Sequence, residues 1–285
     1  MRTEFISTYV YNAGKTCTVY TPQSVSELSA LLQRLKQEGN SASILGGRNS
    51  FGDVFLPASN ECIDISGLNR SIAFSESSVR VGSGVRSFEL LEQLLERDLY
   101  LPAMTGSYLN TIGGDISANV NGKDSWKTGN YYYNIESVQL MCADGTIARI
   151  SNKDAELFNA VVGGLGVAGI ILEAELKLIK RESNNVLCQR IVTRNINDTI
   201  RAFEALKVDG VDFASAWVDG ISKGANFGKG AVEIAKFVDG PRDIGLIGRV
   251  DNKKVYGLKD SFFWGAIRGG WKVAHKLGLD KAAFA

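Results

Sequence analysis

The sequence predicts an α+β fold, and three observations point to it. Amphipathic helices with their own capping residues alternate with short apolar strands. Glycine-rich loops join these elements. The character of the chain then changes near residue 180. A chain of 285 residues allows one or two domains, and it can bury enough surface to fold without disulfides. Lys+Arg 32 against Asp+Glu 31 leaves no strong field to draw nucleic acid or an anionic membrane. Glycine is the outlier, with 31 residues against 4 prolines, which predicts unusual backbone geometry or close approach to a ligand.

The first helix opens at Ser24-Val25-Ser26-Glu27, a capping box with Pro22 just upstream. Val25, Leu28, Leu31, Leu32 and Leu35 recur on one face, and Gly39 closes the helix. Residues 43–45 read as a short buried strand leading into a glycine-led loop at 46–53, and residues 62–65 and 78–81 read as further strands. A second helix places Phe88, Leu91, Leu94 and Leu95 on its apolar face. Residues 99–122 read as irregular and rich in small side chains. Residues 138–141 and 146–150 flank Asp144-Gly145, a hairpin signal. Residues 156–162 are predicted helical, followed by glycines at 163–169 and an alternating strand at 170–179. Tyr131, Tyr132 and Tyr133 read as core of a half-buried strand, or alternatively as a wall of a ligand site. The polar run 181–185 is a linker, which divides the chain into domains 1–180 and 181–285. Beyond it come a strand at 186–192, a helix at 198–206, a strand at 213–218 and a looser basic tail.

Several chemistries fall away. Cys17, Cys62, Cys142 and Cys188 are widely spaced without a CxxC, which predicts reduced, buried thiols and no zinc site. His275 is the single histidine, so no histidine-rich metal site exists, and its lysine-flanked setting reads as surface. The first residues lack a basic stretch followed by an apolar core, so no signal peptide is expected. No apolar run reaches the roughly 18 residues of a membrane span. A cytoplasmic location is the default expectation, with peripheral membrane attachment left open.

Three segments approach known phosphate-binding patterns. Gly14-Lys15-Thr16 ends like a Walker A loop, but Tyr9 stands where its first glycine is required. Gly82-Ser83-Gly84 is a weak Rossmann match, with Ser87 at the third glycine and no acidic residue near Leu101-Pro102-Ala103. Gly164-x-Gly166-x-x-Gly169 fits the pattern fully in reversed context, since a helix precedes it and a strand follows. The pattern works only when a following helix aims its amide end at the pyrophosphate. Its glycines can therefore do no more than admit a ligand closely. Two loops remain. Residues 46–53 present successive amides and the Ser50 hydroxyl, and residues 105–114 present Thr105, Gly106, Ser107, Thr111, Gly113 and Gly114. Such runs can point several N–H groups at one anion, although either loop alone also reads as an ordinary tight turn.

In order along the chain, Gly47-Arg48-Asn49-Ser50-Phe51-Gly52-Asp53, Thr111-Ile112-Gly113-Gly114, Asn121-Gly122-Lys123, Ala143-Asp144-Gly145, and Glu156-Leu157-Phe158 before Gly163-Gly164 form one set. With it the chain resembles the vanillyl-alcohol oxidase and p-cresol methylhydroxylase superfamily, and within it the decaprenylphosphoryl-ribose 2-epimerase oxidase branch. The resemblance runs from about residue 18 to 180 and more faintly to about 235. It implies an FAD-binding domain of two α/β subdomains, followed by part of an α+β substrate domain that includes residues 213–219 and 228–230. By that likeness Gly46, Gly47, Arg48, Asn49, Ser50, Phe51, Gly52 and Asp53 cradle the pyrophosphate. Thr111, Ile112, Gly113 and Gly114 close over it beside Gly106. Ala118 and Asn121 lie near the flavin, Ile171 near the adenine end, and Lys123 contacts substrate.

The resemblance further implies oxidation of a secondary alcohol on a sugar or sugar-lipid, in cell-envelope or carbohydrate metabolism. Hydride passes to flavin N5 while a base, not identified in the sequence, takes the hydroxyl proton. By analogy a short-chain dehydrogenase is a partner. Many relatives carry a histidine at the place of Asn121, and some bond it to the flavin, so non-covalent FAD is expected here. Relatives commonly set the arginine directly before the serine, which leaves Arg48 without a role. They also continue well beyond residue 285, and that later segment helps complete the substrate pocket. The competing readings are a MurB-like flavin reductase with a nicotinamide donor, and a chain that holds FAD without activity of its own.

Overall fold

The computed structural model describes residues 1–239 except 10, 12, 182–184 and 207–209. His275, the basic tail beyond residue 239 and residues 182–184 of the polar run lie outside the described residues.

The first sheet holds a hairpin of β1 (Arg2–Ser7) and β2 (Gly14–Tyr20), which the sequence reading did not anticipate. The helix α1 (Val25–Gln37) and strands β3 (Ser43–Leu45) and β4 (Glu61–Asp64) follow. The strand order is β1-β2-β4-β3, with β4 parallel to both neighbours. Gly14-Lys15-Thr16 thus lies within a strand, and Lys15 Nζ donates to the carbonyls of Pro57, Ala58 and Ser59. Ser24 Oγ accepts from Glu27 N at 3.1 Å and caps α1 as expected, while the Glu27 carboxylate accepts from Gln23 N. Leu28 and Leu35 are buried, and Val25 stays on the exposed edge. These leucines pack with Ile63 of the first sheet and with Met141, Ile170 and Leu172 of the second. One helix face therefore joins the two sheets, at roughly 1.5–3 kcal/mol per buried leucine.

The second sheet is antiparallel throughout. Its chain order runs β5 (Ile72–Phe74), β6 (Ser78–Gly82), α2 (Ser87–Leu95), β7 (Leu99–Tyr100), α3 (Ile112–Ser117), α4 (Ser125–Thr128), β8 (Ile135–Met141), β9 (Ile147–Ser151), α5 (Ala155–Val161), β10 (Ile170–Lys177) and β11 (Ile179–Lys180). The five-stranded order is β5-β6-β10-β8-β9, and β7 pairs separately with β11. The hairpin around Asp144-Gly145 forms as read, with Met141 opposite Ile147. Three expectations are corrected. The buried face of α2 centres on Leu90 and Leu94, while Phe88, Leu91 and Leu95 are only half-buried. The stretch 99–122 is not wholly irregular, since it contains β7 and α3. Tyr131 to Asn134 form a 3₁₀ turn and not a strand, with Tyr131 buried and Tyr133 exposed.

The third sheet comprises β12 (Asn185–Thr193), α6 (Ile196–Glu204), β13 (Phe213–Val218) and β14 (Gly230–Val238). Its order is β12-β14-β13, so a strand absent from the sequence reading occupies the centre. The sheet meets the second-sheet body at three points. Tyr100, Phe213 and Phe237 stack edge to face or tilted, with the Arg181 guanidinium 4.3 Å from the Phe237 ring. Ala214 N donates to Lys123 O at 2.7 Å, and Lys127 pairs with Asp212 at 2.9 Å. Cys17 and Cys62 are buried as expected, whereas Cys142 is half-buried and Cys188 exposed on β12, and all four are free thiols. No helix among the described residues is long and apolar enough to cross a membrane.

Candidate functional site

Three segments converge on one cleft of about 600 Å³, within the roughly 300–1,000 Å³ range of ligand pockets. They are the loop after β3, the loop leading into α3, and the glycine run entering β10.

The two anion-loop candidates differ sharply. In residues 47–53, no backbone N–H donates a hydrogen bond to any partner among the described residues. Residues 47–50 are half-buried and line the cleft. Unpartnered amides beside a cleft suit a ligand rich in anionic oxygens. In the second loop the amides of Gly106, Ser107, Ile112, Gly113 and Gly114 are already used. Ile112 N donates to Val85 O, Gly113 N to Ser83 O, and Gly114 N to Thr111 Oγ1. Gly106 N donates to Asn121 O. This loop therefore brings the Thr111 hydroxyl and the bare backbone of Gly114 to the cleft, while its glycine amides are spent within the fold.

The loops press together through glycine. A Cβ on Gly46 would stand 2.5 Å from Thr111 Oγ1, and one on Gly47 would stand 3.2 Å from the Asn110 backbone. Asn49 Nδ2 and Arg86 Nη1 both donate to Leu109 O, which fixes the spacing. Arg48 gains the role that the sequence left open. Its backbone is left-handed, with φ 58°, a conformation that costs a non-glycine residue about 1–2 kcal/mol. Its guanidinium donates to Glu4 Oε1 at 2.7 Å and Asp64 Oδ2 at 2.5 Å. Burial works against the Arg48 charge, but Asp64 and Glu4 outweigh it and hold the group above its ordinary range. Burial likewise opposes the Glu4 charge, and Arg48 and Arg2 overcome it to lower that carboxyl. The hairpin β1–β2 thus anchors the loop, and Tyr9 adds an N–H to Ser50 O and a ring edge-on to Phe51 at 5.4 Å.

Of the residues read as cofactor contacts, Gly46, Gly47, Arg48, Asn49, Ser50, Phe51, Gly106, Thr111, Gly113, Gly114, Ala118, Asn121 and Ile171 line the cleft. Gly52, Asp53 and Ile112 do not: Gly52 and Asp53 are exposed between the lining residues Phe51 and Val54, and Ile112 is buried in the core. Lys123 is exposed and outside the lining. Tyr131, Tyr132 and Tyr133 are also absent from it. Residues not singled out include Tyr9, Ile44 and Phe55, which supply apolar wall. Gly166 and Gly169 reach the cleft as well, each with positive φ. The set includes no histidine or cysteine. An extended ligand with an anionic middle and flat apolar ends fits this combination.

Residues 18–151 match the family described as FAD binding domain. The chain is 30% identical over 228 residues to decaprenylphosphoryl-beta-D-ribose oxidase of Mycolicibacterium smegmatis, covering 77% of this chain and 50% of that protein. It is 33% identical over 171 residues to cytokinin dehydrogenase 3 of Oryza sativa, covering 56% of this chain and 32% of that one. It is 25% identical over 167 residues to D-arabinono-1,4-lactone oxidase of Yarrowia lipolytica, covering 56% and 31%. The chain thus spans half the length of the first of these relatives and about a third of the other two. The unpartnered amide row and the glycine contacts fall in the segment 18–151 that matches the FAD binding domain family.

Proposed function

We propose that this chain is the FAD-holding part of an oxidoreductase that oxidises a secondary alcohol of a sugar or sugar-lipid. The observation that carries the reading is the row of unpartnered amides at 47–51 along the cleft, beside the Thr111 hydroxyl. These groups would hold the diphosphate of FAD, at roughly 1.5–3 kcal/mol per charge-assisted bond. Ile44, Phe55 and Ile171 would exclude water from the ligand's flat ends, and Asn121 would stand near the flavin. When bound, FAD supplies a hydride acceptor that side chains cannot. Non-covalent attachment is part of this reading, because the Asn121 side chain offers no nucleophile to the flavin. Two relatives whose names specify a sugar-derived substrate, a ribose lipid and an arabinonolactone, support the substrate class. In this reading residues 1–180 form the cofactor domain, and residues from 181 onward begin a substrate domain on which Lys123 borders. A short-chain dehydrogenase would then reduce the keto product.

The test is reconstitution of the purified chain with FAD, followed by anaerobic addition of sugars with a free secondary alcohol and a blocked anomeric position, or of NADPH. Bleaching of the flavin's visible band by such a sugar, and release of the flavin to the supernatant on acid precipitation, are expected. A chain that retains no FAD would overturn the cofactor assignment. A yellow chain bleached only by NADPH would replace the reaction with a reductase.

A further inference from the structure

Asp115 is a carboxylate that neither the fold nor the proposed chemistry requires. It lies in the first turn of α3 at 0 % exposure, directly after the cleft residues Gly113 and Gly114. Ser87 Oγ donates to its Oδ2 at 2.6 Å, and Asn110 Nδ2 donates to its Oδ1 at 2.8 Å. Asn110 Nδ2 also reaches Thr105 Oγ1 at 3.2 Å. Thr105 and Asn110 both line the cleft. Asp115 therefore sits one side chain behind the cleft wall and fixes two groups of that wall.

The groups around it leave its charge uncompensated. From α2, Arg86 turns its guanidinium to the carbonyls of Leu109 and Gly47, and Glu89 pairs with Arg70. On β6 and β10, Arg80 pairs with Glu173, and Glu175 pairs with Arg149. From the 3₁₀ turn Tyr131 faces it, and burial together with Asp115 keeps that phenol neutral by raising its ionisation well above the usual range. The Tyr131 hydroxyl is buried without a partner among the described residues. Burial pushes the Asp115 carboxyl up to about 7, against the bonds from Ser87, Asn110 and Thr105.

We propose that Asp115 is a positioning residue of the cleft whose proton is coupled to occupancy, so that binding of a dinucleotide diphosphate takes up a proton there. The inference rests on the cleft holding FAD. A diphosphate carries constant negative charge across neutral pH, so its arrival disfavours the ionised carboxylate and favours the protonated one. Protonated Asp115 still accepts from Ser87 or Asn110 and gains a hydroxyl donor for the wall. Affinity is therefore full below about pH 7 and falls as the pH rises through that point.

The experiment is FAD titration from about pH 5.5 to about pH 9, with a slope of up to about tenfold per pH unit expected above neutrality. Asp115→Asn is expected to bind with a flat profile near the low-pH affinity of the natural chain. Calorimetry of the natural chain in two buffers of different ionisation enthalpy counts the protons directly, and it does so even should the variant fail to fold. A flat profile, zero protons taken up, or an unchanged slope in Asp115→Asn would each overturn the coupling. Absence of FAD binding at every pH would instead overturn the cofactor assignment on which the inference stands.

Discussion

Arg48→Met asks whether the first loop is held in shape from behind or grips its ligand directly. The substitution keeps the apolar stem and removes a guanidinium bonded to Glu4 and Asp64. A bond to a charged group contributes about 1.5–3 kcal/mol when shielded, and an exposed pair about 0–1 kcal/mol. The Glu4 side chain is 32% exposed and that of Asp64 11%, so the first arm belongs near the low figure and the second near the high one. Arg2 remains 2.8 Å from Glu4 and 3.8 Å from Asp64, which softens the repulsion left behind. The net loss is about 2–3 kcal/mol. Methionine keeps the left-handed backbone without the clamp that holds it. Carried into cofactor affinity, the loss raises the FAD Kd about 30- to 150-fold. Fluorescence titration measures it, with thermal melts of the FAD-free chain alongside. Glu4→Gln separates the two roles, because weakening one arm of a clamp lowers affinity, whereas freeing a direct ligand of the diphosphate preserves or raises it. FAD binding within about twofold of the natural chain in Arg48→Met, or tighter binding in Glu4→Gln, would refute the clamp.

Gly114→Val places a branched side chain at the cleft and is expected to weaken FAD about 100-fold by displacing one or two charge-assisted bonds, with a smaller loss in melting because its Cβ would stand 3.2 Å from Thr111 Oγ1. Gly113→Ser should do the reverse: its Cβ would stand 2.9 Å from Ser83 Cβ, and chemical denaturation should show a loss of about 1–3 kcal/mol. Burial raises the Asp115 carboxyl from 3.8 to about 7, so between those values the folded chain holds a proton that the unfolded chain releases, and stability falls as the pH rises. Denaturation of the natural chain and Asp115→Asn from about pH 4 to about pH 8 should show the variant free of a slope worth up to about 4 kcal/mol. Lys123→Met should leave FAD affinity unchanged and raise the KM for a sugar substrate about tenfold, and an unaltered kcat/KM would remove Lys123 from the substrate side.

The sequence carried local signals well and distant ones poorly. The Ser24 cap, the Asp144-Gly145 hairpin and the strand at 170–177 rest on neighbours a few residues apart. The helix α3 escaped because six residues with two glycines show no periodicity; the Thr111 cap and burial of Ile112 and Ile116 hold it. On α2, spacing gave a face through Phe88, Leu91, Leu94 and Leu95; Leu94 is buried as read, and only the packed core adds Leu90. Within β14 just Val232 is fully buried, so its apolar signal was weak. At the site, the glycine pattern located both loops but not the state of their amides. That state depends on the carbonyls of Ser83 and Val85, brought to Gly113 and Ile112 by the turn after β6. The partner of Arg48 lies 44 residues earlier, in a strand the pattern did not reveal.

The central place of β14 bears on how the chain emerges from the ribosome. Strands β12 and β13 are synthesised first, yet neither hydrogen-bonds to the other. Both wait with open edges until residues 230–238 arrive and pair with each side along their length. Open strand edges recruit foreign strands, and nascent multi-layer chains are most aggregation-prone in such intervals. The arginine and glutamate at Arg190 and Glu233, which pair across β12 and β14, give the late strand a charged register mark for that insertion. A pause in translation before residue 230 would thus prolong the most vulnerable state of the chain, whereas the segments that line the cleft are all synthesised by residue 171.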